Sequence, residues 1–169
     1  MHTLVEQIRA MRPGAWAVLL LLVGCSPVTV STSTAPGADF SSRHTYAWEP
    51  NPQMGGTFDD SIAGQDIHAA VNEALEARGF QPADGQPPDF LVDYRVRLQQ
   101  ESEIEGGRWQ LQQYNYTEGT LIVALVDPKT QLFLWRGAAQ GVVDPSTGGA
   151  EESQDIQTAV QKMFANFPS

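Results

Sequence analysis

The sequence FLVDYRVRLQ, residues 90–99, decides the fold of this chain. Phe90, Val92, Tyr94, Val96 and Leu98 alternate with mostly polar residues, which is the pattern of a β-strand with one buried face and one face toward water. Such a strand needs neighbours to pair with and a second layer to cover its apolar face. The flanking sequence contains signals for both.

Two further strands are predicted downstream. Residues 120–126 are apolar on both faces, which is typical of a central strand, and residues 132–143 return after a turn at Asp127-Pro128. Residues 101–119, between the first two strands, predict a hairpin extension of the sheet. Three aromatic residues lie on the second arm of this hairpin: Trp109, Tyr114 and Tyr116.

Two amphipathic helices are predicted to cover the sheet. Apolar residues recur at helical spacing over residues 59–78, and Gly79 followed by Phe80 predicts the helix stop. A second apolar stripe runs from about residue 149 and ends before Pro168. Residues 45–48 predict a short strand that precedes the first helix.

The order of these elements predicts an α+β two-layer sandwich. Its sheet is antiparallel and four- to five-stranded, and the two helices pack on one face. Residues 39–169 form this single domain. Residues 25–38 are either a Ser/Thr-rich tether or, through residues 28–34, an edge strand.

The first 24 residues are predicted to be a cleaved lipoprotein signal peptide. Arg9 and Arg12 form a basic start, and residues 15–23 are an apolar run that is too short to span a membrane. Leu22-Val23-Gly24-Cys25 follows, and it resembles the lipobox of bacterial lipoproteins. It lies at the end of the apolar run and contains the chain's only cysteine.

The lipobox resemblance implies cleavage between Gly24 and Cys25 and lipid attachment, including palmitate, at Cys25. Each buried methylene contributes about 0.8 kcal/mol, so two or three acyl chains anchor a protein firmly to a membrane. Ser26 stands where an Asp would signal retention at the inner membrane. We therefore expect a periplasm-facing lipoprotein of the outer membrane, which contacts the membrane through its lipid.

Composition excludes several classes of function. The chain has 10 Lys+Arg against 20 Asp+Glu, a net charge of -10, which argues against nucleic-acid binding. One cysteine and three histidines make a Cys- or His-built metal site improbable. Hydrolase, phosphate-loop and dinucleotide-binding motifs are absent from the sequence. We expect no catalytic, cofactor-binding or metal-ligating residues, and no enzyme.

Several blocks of the sequence resemble a known family. They are Phe40-Ser41 with residues 45–48, residues 67–75 with Gly79-Phe80, residues 89–94, and residues 119–123 with Asp127 and Trp135-Arg136-Gly137. In this order they are similar to the bacterial lipoproteins of domain of unknown function 4136. The resemblance implies an exported, lipid-anchored α+β domain, and it implies no activity.

The candidate binding residues are aromatic side chains and one arginine. Trp109, Tyr114 and Tyr116 are candidates for a binding face on the hairpin, or they pack against the sheet. Trp135 and Arg136 together can hold a carboxylate or phosphate, but alternation favours a buried Trp135 beside an outward Arg136. The sequence favours a non-enzymatic envelope lipoprotein that binds an envelope protein or component. The alternative is a periplasmic module that binds a small molecule or a lipid.

Overall fold

A computed structural model of the chain describes residues 28–49, 61–107, 110–144 and 149–168, without the side chains of residues 104–107 and 110–112. The predicted signal peptide, Gly24 and Cys25 lie outside these residues, and so does Trp109. Among the described residues, no helix has the length and the apolar character needed to cross a membrane.

Six strands and two helices make up the described chain. In chain order they are β1 (Thr29–Thr34), β2 (Thr45–Trp48), α1 (Ile62–Glu76), β3 (Gln81–Pro82), β4 (Phe90–Gly107), β5 (Gln110–Val126), β6 (Phe133–Val143) and α2 (Ala150–Phe164).

All six strands form one sheet, in the order β1-β6-β5-β4-β2-β3. The pairs β1–β6, β6–β5 and β5–β4 are antiparallel, whereas β2 is parallel to both β4 and β3. The general class, α+β with two helices, agrees with the sequence prediction. The prediction of a purely antiparallel sheet of four or five strands is wrong: the sheet is mixed and six-stranded.

The physical reason for the mixed sheet is the connection through α1. The chain leaves β2, crosses the sheet in α1 and comes back beside β2 in the same direction, which requires a parallel pair. β3 is only two residues long and contains Pro82, so it has no alternating pattern for sequence analysis to detect. β1 pairs with β6 along its whole length. Residues 29–34 are therefore an edge strand of the domain and not a tether.

Local sequence signals explain both ends of α1. The Ser61 hydroxyl accepts a hydrogen bond from the Gly64 amide at 3.0 Å, which caps the first turn. At the other end Gly79 has φ +88°, and the Phe80 amide donates to the Leu75 carbonyl at 3.2 Å. The predicted Gly-Phe stop is confirmed, and it places the Phe80 ring under the helix.

The core lies between one face of the sheet and the two helices. At the end of the core near the C-termini of the helices it consists of aromatic rings in mutual contact, with centroids 4.8–6.4 Å apart. These rings are Phe40, Phe80, Phe90, Trp135, Phe164 and Phe167. At the opposite end the corresponding positions hold small or aliphatic residues, including Ala63, Gly119 and Ala139. The two ends of the core are consequently filled to different extents.

Candidate functional site

The face of the sheet opposite the helices, here called the open face, has no described element packed on it. Side chains alternate between the two faces along each strand. The residues Val92, Val123 and Trp135 point toward the helices and are fully buried. Their neighbours Arg95, Ile122 and Arg136 point the other way, and both arginines are exposed.

A groove of about 280 Å³ lies on the open face. We call it the arginine groove; it is lined by Asp93, Arg95, Arg97, Ile122, Ala124, Phe133 and Arg136. Strand register explains how residues distant in sequence meet there. Ala124 pairs with Asp93 on one side and with Arg136 on the other, and Ile122 pairs with Arg95. Neighbouring strands are about 4.8 Å apart, so three arginines surround a small apolar floor.

The charge of the arginine groove is opposite to that of the chain. Three arginines and one carboxylate, Asp93, line it, which gives the groove a formal charge of +2 in a protein whose net charge is -10; the arm of the same face carries Glu101 and Glu103. Guanidinium groups on a strand surface present planar sets of donors that match carboxylates and phosphates. The groove is thus suited to an anionic group that is attached to an apolar one.

The hairpin predicted for residues 101–119 exists and is long. β4 and β5 pair without interruption from Leu91–Val126 to Gly107–Gln110. Pairing of β5 with β6 begins only at Thr117, so residues 101–107 and 110–116, here called the arm, extend beyond the other strands. At about 3.4 Å per residue the seven paired positions project roughly 24 Å.

Register places two predicted binding residues on the open face. Tyr114 pairs with Glu103 and Tyr116 with Glu101, and these pairs continue the row of Arg97 and Thr120. Tyr114 is 50% exposed, and Tyr116 is half-buried. Tyr114, Tyr116 and Arg136 therefore belong to one continuous surface that runs from the arm into the arginine groove.

Trp135 does not belong to this surface, so its prediction as a candidate binding residue is wrong. It is fully buried on the helix side, where its ring packs against Phe164 and Phe167 with centroids 4.9 and 5.3 Å apart. The reason is strand alternation, which sends adjacent side chains to opposite faces. Trp135 and Arg136 cannot act on one ligand.

A second cavity, here called the cleft, opens on the helix side of the sheet and has a volume of about 340 Å³. It lies between the sheet and the N-terminal parts of α1 and α2, at the loosely filled end of the core. Apolar side chains form its walls: Val28, Ile67, Val96, Leu98, Leu121, Val143, Ile156 and Ala159. Asp144, Glu152 and Asp155 also line it.

Sequence reasoning missed the gathering of Arg95 and Arg97 with Arg136, and it missed the cleft. Alternation indicated that Arg95 and Arg97 face away from the core, but their proximity to Arg136 depends on cross-strand register. The cleft depends on which residues of two helices and three strands face each other. Among the described residues, no group of three or more His, Cys, Asp or Glu side chains is placed to hold a metal ion.

Three solved structures show similarity to this chain. A PDZ domain protein from Parabacteroides distasonis matches with a TM-score of 0.54 and 14% identity, over 85% of this chain and 35% of its own. This chain thus spans about a third of that protein's length. A PelC dodecamer from Paraburkholderia phytofirmans matches with a TM-score of 0.49 and 14% identity, over 82% of this chain and 96% of its own. A minor lipoprotein from Acinetobacter baumannii matches with a TM-score of 0.34 and 11% identity, over 72% of this chain and 87% of its own.

At 14% identity the likeness to the PDZ domain protein concerns the fold alone. No curated protein matches the sequence. A family described as a domain of unknown function, DUF4136, matches residues 30–169, which include β2 to β6, both helices and all of β1 except Thr29. The chain belongs to the DUF4136 family.

Proposed function

We propose that this protein is a non-enzymatic lipoprotein of the bacterial cell envelope, anchored in the outer membrane through Cys25, which binds an envelope protein or component on its open face. The observation that carries the proposal is the arginine groove. Three arginines around an apolar floor, on an uncovered face of a strongly acidic chain, favour a partner that presents carboxylates or phosphates.

Electrostatics supports a local binding role for this face. An acidic protein repels anionic partners in general, so a cationic groove restricts their approach to one place and orientation. The apolar floor of Ile122 and Ala124 adds contact area that a charge alone does not supply. Phe133, which is 55% exposed at the rim, is a further apolar contact for a partner.

The arm extends the binding surface. Tyr114 and Tyr116 lie on the same face as the groove arginines, and tyrosine combines a large apolar ring with a hydroxyl at low entropic cost. From Tyr114 to Ile122 the surface is about 27 Å long at 3.4 Å per residue. A partner that contacts both ends is a macromolecule or an extended chain.

The predicted anchor holds this surface near the membrane. β1 begins at Thr29, and four residues extend at most about 14 Å, so Cys25 stays close to the edge of the sheet. β1 is also the edge strand, and its outer side offers backbone donors and acceptors for strand addition by a partner.

Cross-linking in intact cells tests the proposal. The tagged full-length protein is treated with formaldehyde, and its adducts are compared with those of the Arg95→Glu/Arg136→Glu double variant. We expect the adduct to fall at least about tenfold, a factor that corresponds to 1.4 kcal/mol. Gln154→Glu/Gln161→Glu is the control, because it also adds negative charge at exposed positions outside the groove and leaves in place both lysines of the chain, on which formaldehyde mainly reacts. Equal adducts in all three proteins would contradict the proposal.

A second candidate function is a periplasmic module that binds a small molecule or a lipid. The cleft favours it, since its volume lies at the lower end of the range of about 300–1,000 Å³ that is typical of ligand pockets. Native mass spectrometry of the protein purified from envelopes distinguishes the two candidates. A bound small molecule supports the second candidate, and a protein adduct that depends on Arg95 and Arg136 supports the first.

A further inference from the structure

The cleft is a gap that the sequence leaves at one end of the core. Where the other end is filled by phenylalanine and tryptophan rings, this end has glycine and alanine. Gly119 and Gly141 are directly paired on neighbouring strands, the Val143 side chain covers Gly119, and Ala63 and Ala159 line the cleft from the two helices. Because Ala63, Ala139 and Ala159 have small side chains, the helices and the sheet enclose space here instead of closing on each other.

The walls of the cleft are apolar and accessible. Leu98 points to the helix side and is nevertheless 51% exposed, while Val28, Val96 and Ile156 are only partly buried. An open apolar cavity of this size is typical of a binding site for an apolar group.

The negative charge at the cleft disfavours lipids with an anionic head group. Its lining includes the carboxylates Asp144, Glu152 and Asp155, and it includes no lysine or arginine among the described residues. These carboxylates repel the head group of a free fatty acid or an anionic phospholipid. An acyl chain held through an uncharged linkage, ester or amide, meets no such repulsion.

The position of Val28 identifies a source of such a chain. Val28 lines the cleft and immediately precedes β1, and Cys25 lies three residues before it. Three residues extend at most about 11 Å, so a lipid on Cys25 starts within reach of the cleft. The acyl groups of a lipidated amino-terminal cysteine are bound through ester and amide linkages and carry no charge.

We propose that the cleft holds an acyl chain of the lipid attached to Cys25. This inference rests on the acylation of Cys25 that is part of the proposed function. Its consequence is that one chain is withdrawn from the membrane into the domain, which fixes the domain against its own anchor and shields the chain from water.

Photo-cross-linking of the native protein tests this inference. Cells that make the full-length protein are fed a palmitate analogue with a diazirine in its chain, illuminated and fractionated, and the adducts are mapped by mass spectrometry. We expect adducts on peptides that contain Leu121 and Ile156, which lie on opposite walls of the cleft. Label on the protein with adducts only to membrane lipids would overturn the inference and leave the proposed function standing.

Two variants sharpen the result. Leu98→Asp places a charge at the cleft wall and is expected to lower the cleft adducts at least about tenfold. Leu132→Asp is the matched control, because Leu132 is 67% exposed and lies outside the cleft. Since Leu98 is itself half-exposed, the exchange is compatible with folding. If the variant nevertheless fails to fold, the adducts mapped in the unaltered protein still show whether the cleft holds the acyl chain.

The Cys25→Ser protein separates the remaining outcomes. Without the acceptor thiol, cleft adducts are expected to disappear. If they persist, the occupant is a diffusible lipid, which overturns the inference and favours the second candidate function. If the unaltered protein carries no label at all, both the acylation of Cys25 and the inference fail.

Discussion

Trp135, Arg136 and Gly137 are consecutive in the chain and serve three different purposes. Trp135 anchors the helices, Arg136 belongs to the arginine groove, and Gly137 leaves room for the Trp135 ring. The outward direction of Arg136 could be predicted from strand alternation alone. Its association with Arg95 and Arg97 could not, because the pairing register across β4, β5 and β6 determines it.

Gly137→Ala tests the role of this glycine. A Cβ at residue 137 would lie 2.6 Å from Cη2 of Trp135 and 3.1 Å from Sδ of Met163. We expect a loss of about 1–3 kcal/mol in the free energy of unfolding, as for an overpacked core. The measurement is urea denaturation. In an unhindered strand the same exchange stabilises by about 0.5–1 kcal/mol, so an increase in stability would contradict the packing described.

Two aspartates fix the segment before β2 and the turn before β6. The Asp89 carboxylate accepts hydrogen bonds from the amides of His44 and Thr45 at 2.8 and 3.0 Å. Asp127 accepts from the amides of Lys129 and Thr130 and from the Arg43 guanidinium at 2.9–3.0 Å. These bonds lower the pKa of both carboxyls, the Thr130 amide most of all at Asp127, whose pKa falls to about 2.

Asp127→Asn tests the contribution of this carboxylate. A depressed pKa gives stability that is present above the ordinary value of 3.8 and is lost as pH falls toward about 2. We expect the variant to be less stable at pH 6 and to lose less stability than the unaltered protein between pH 4 and pH 2. Denaturant midpoints across this range measure it. Asp155→Asn, at an exposed position of α2, is the control. Identical pH profiles for all three proteins would show that the hydrogen bonds of Asp127 contribute nothing to stability.

Among the elements, those with a strong periodicity could be predicted and those defined by pairing could not. The apolar stripe and the Gly79-Phe80 stop placed α1 within about three residues at each end, and β2 was predicted at its observed bounds. β3 was not predicted, because a strand of two residues is too short to show an alternation of apolar and polar residues. The parallel pairing of β2 was not predicted, because alternation does not reveal strand direction.

The arm is the element whose removal is expected to separate the proposed binding from folding. Residues 101–107 and 110–116 pair with each other and with no further described strand. Replacing residues 103–116 by a tight turn is therefore expected to leave the melting temperature within a few degrees and to abolish the envelope cross-link, because Tyr114 is lost. Thermal denaturation and cross-linking are measured on the same variant. An unfolded variant would make the arm part of the core, and a folded variant with the full adduct would make it dispensable.

At the scale of the whole molecule, the two faces of the sheet differ in what they carry. The helix side contains the core and the cleft, and the open face carries the groove arginines and the arm tyrosines. Composition predicted that an acidic domain avoids nucleic acid, but it did not predict that three arginines lie together in one groove of the open face. Such asymmetry is visible only once the sheet is assembled.

The proposed binding role of the open face is tested most directly by site-specific photo-cross-linking of the full-length protein in living cells. A photoreactive residue replaces Ile122 in the arginine groove, and in a separate variant it replaces Gln157, which is exposed on α2. We predict that position 122 yields a discrete adduct with an envelope component and that position 157 does not. An adduct at position 157 with none at position 122 would contradict the proposed binding surface.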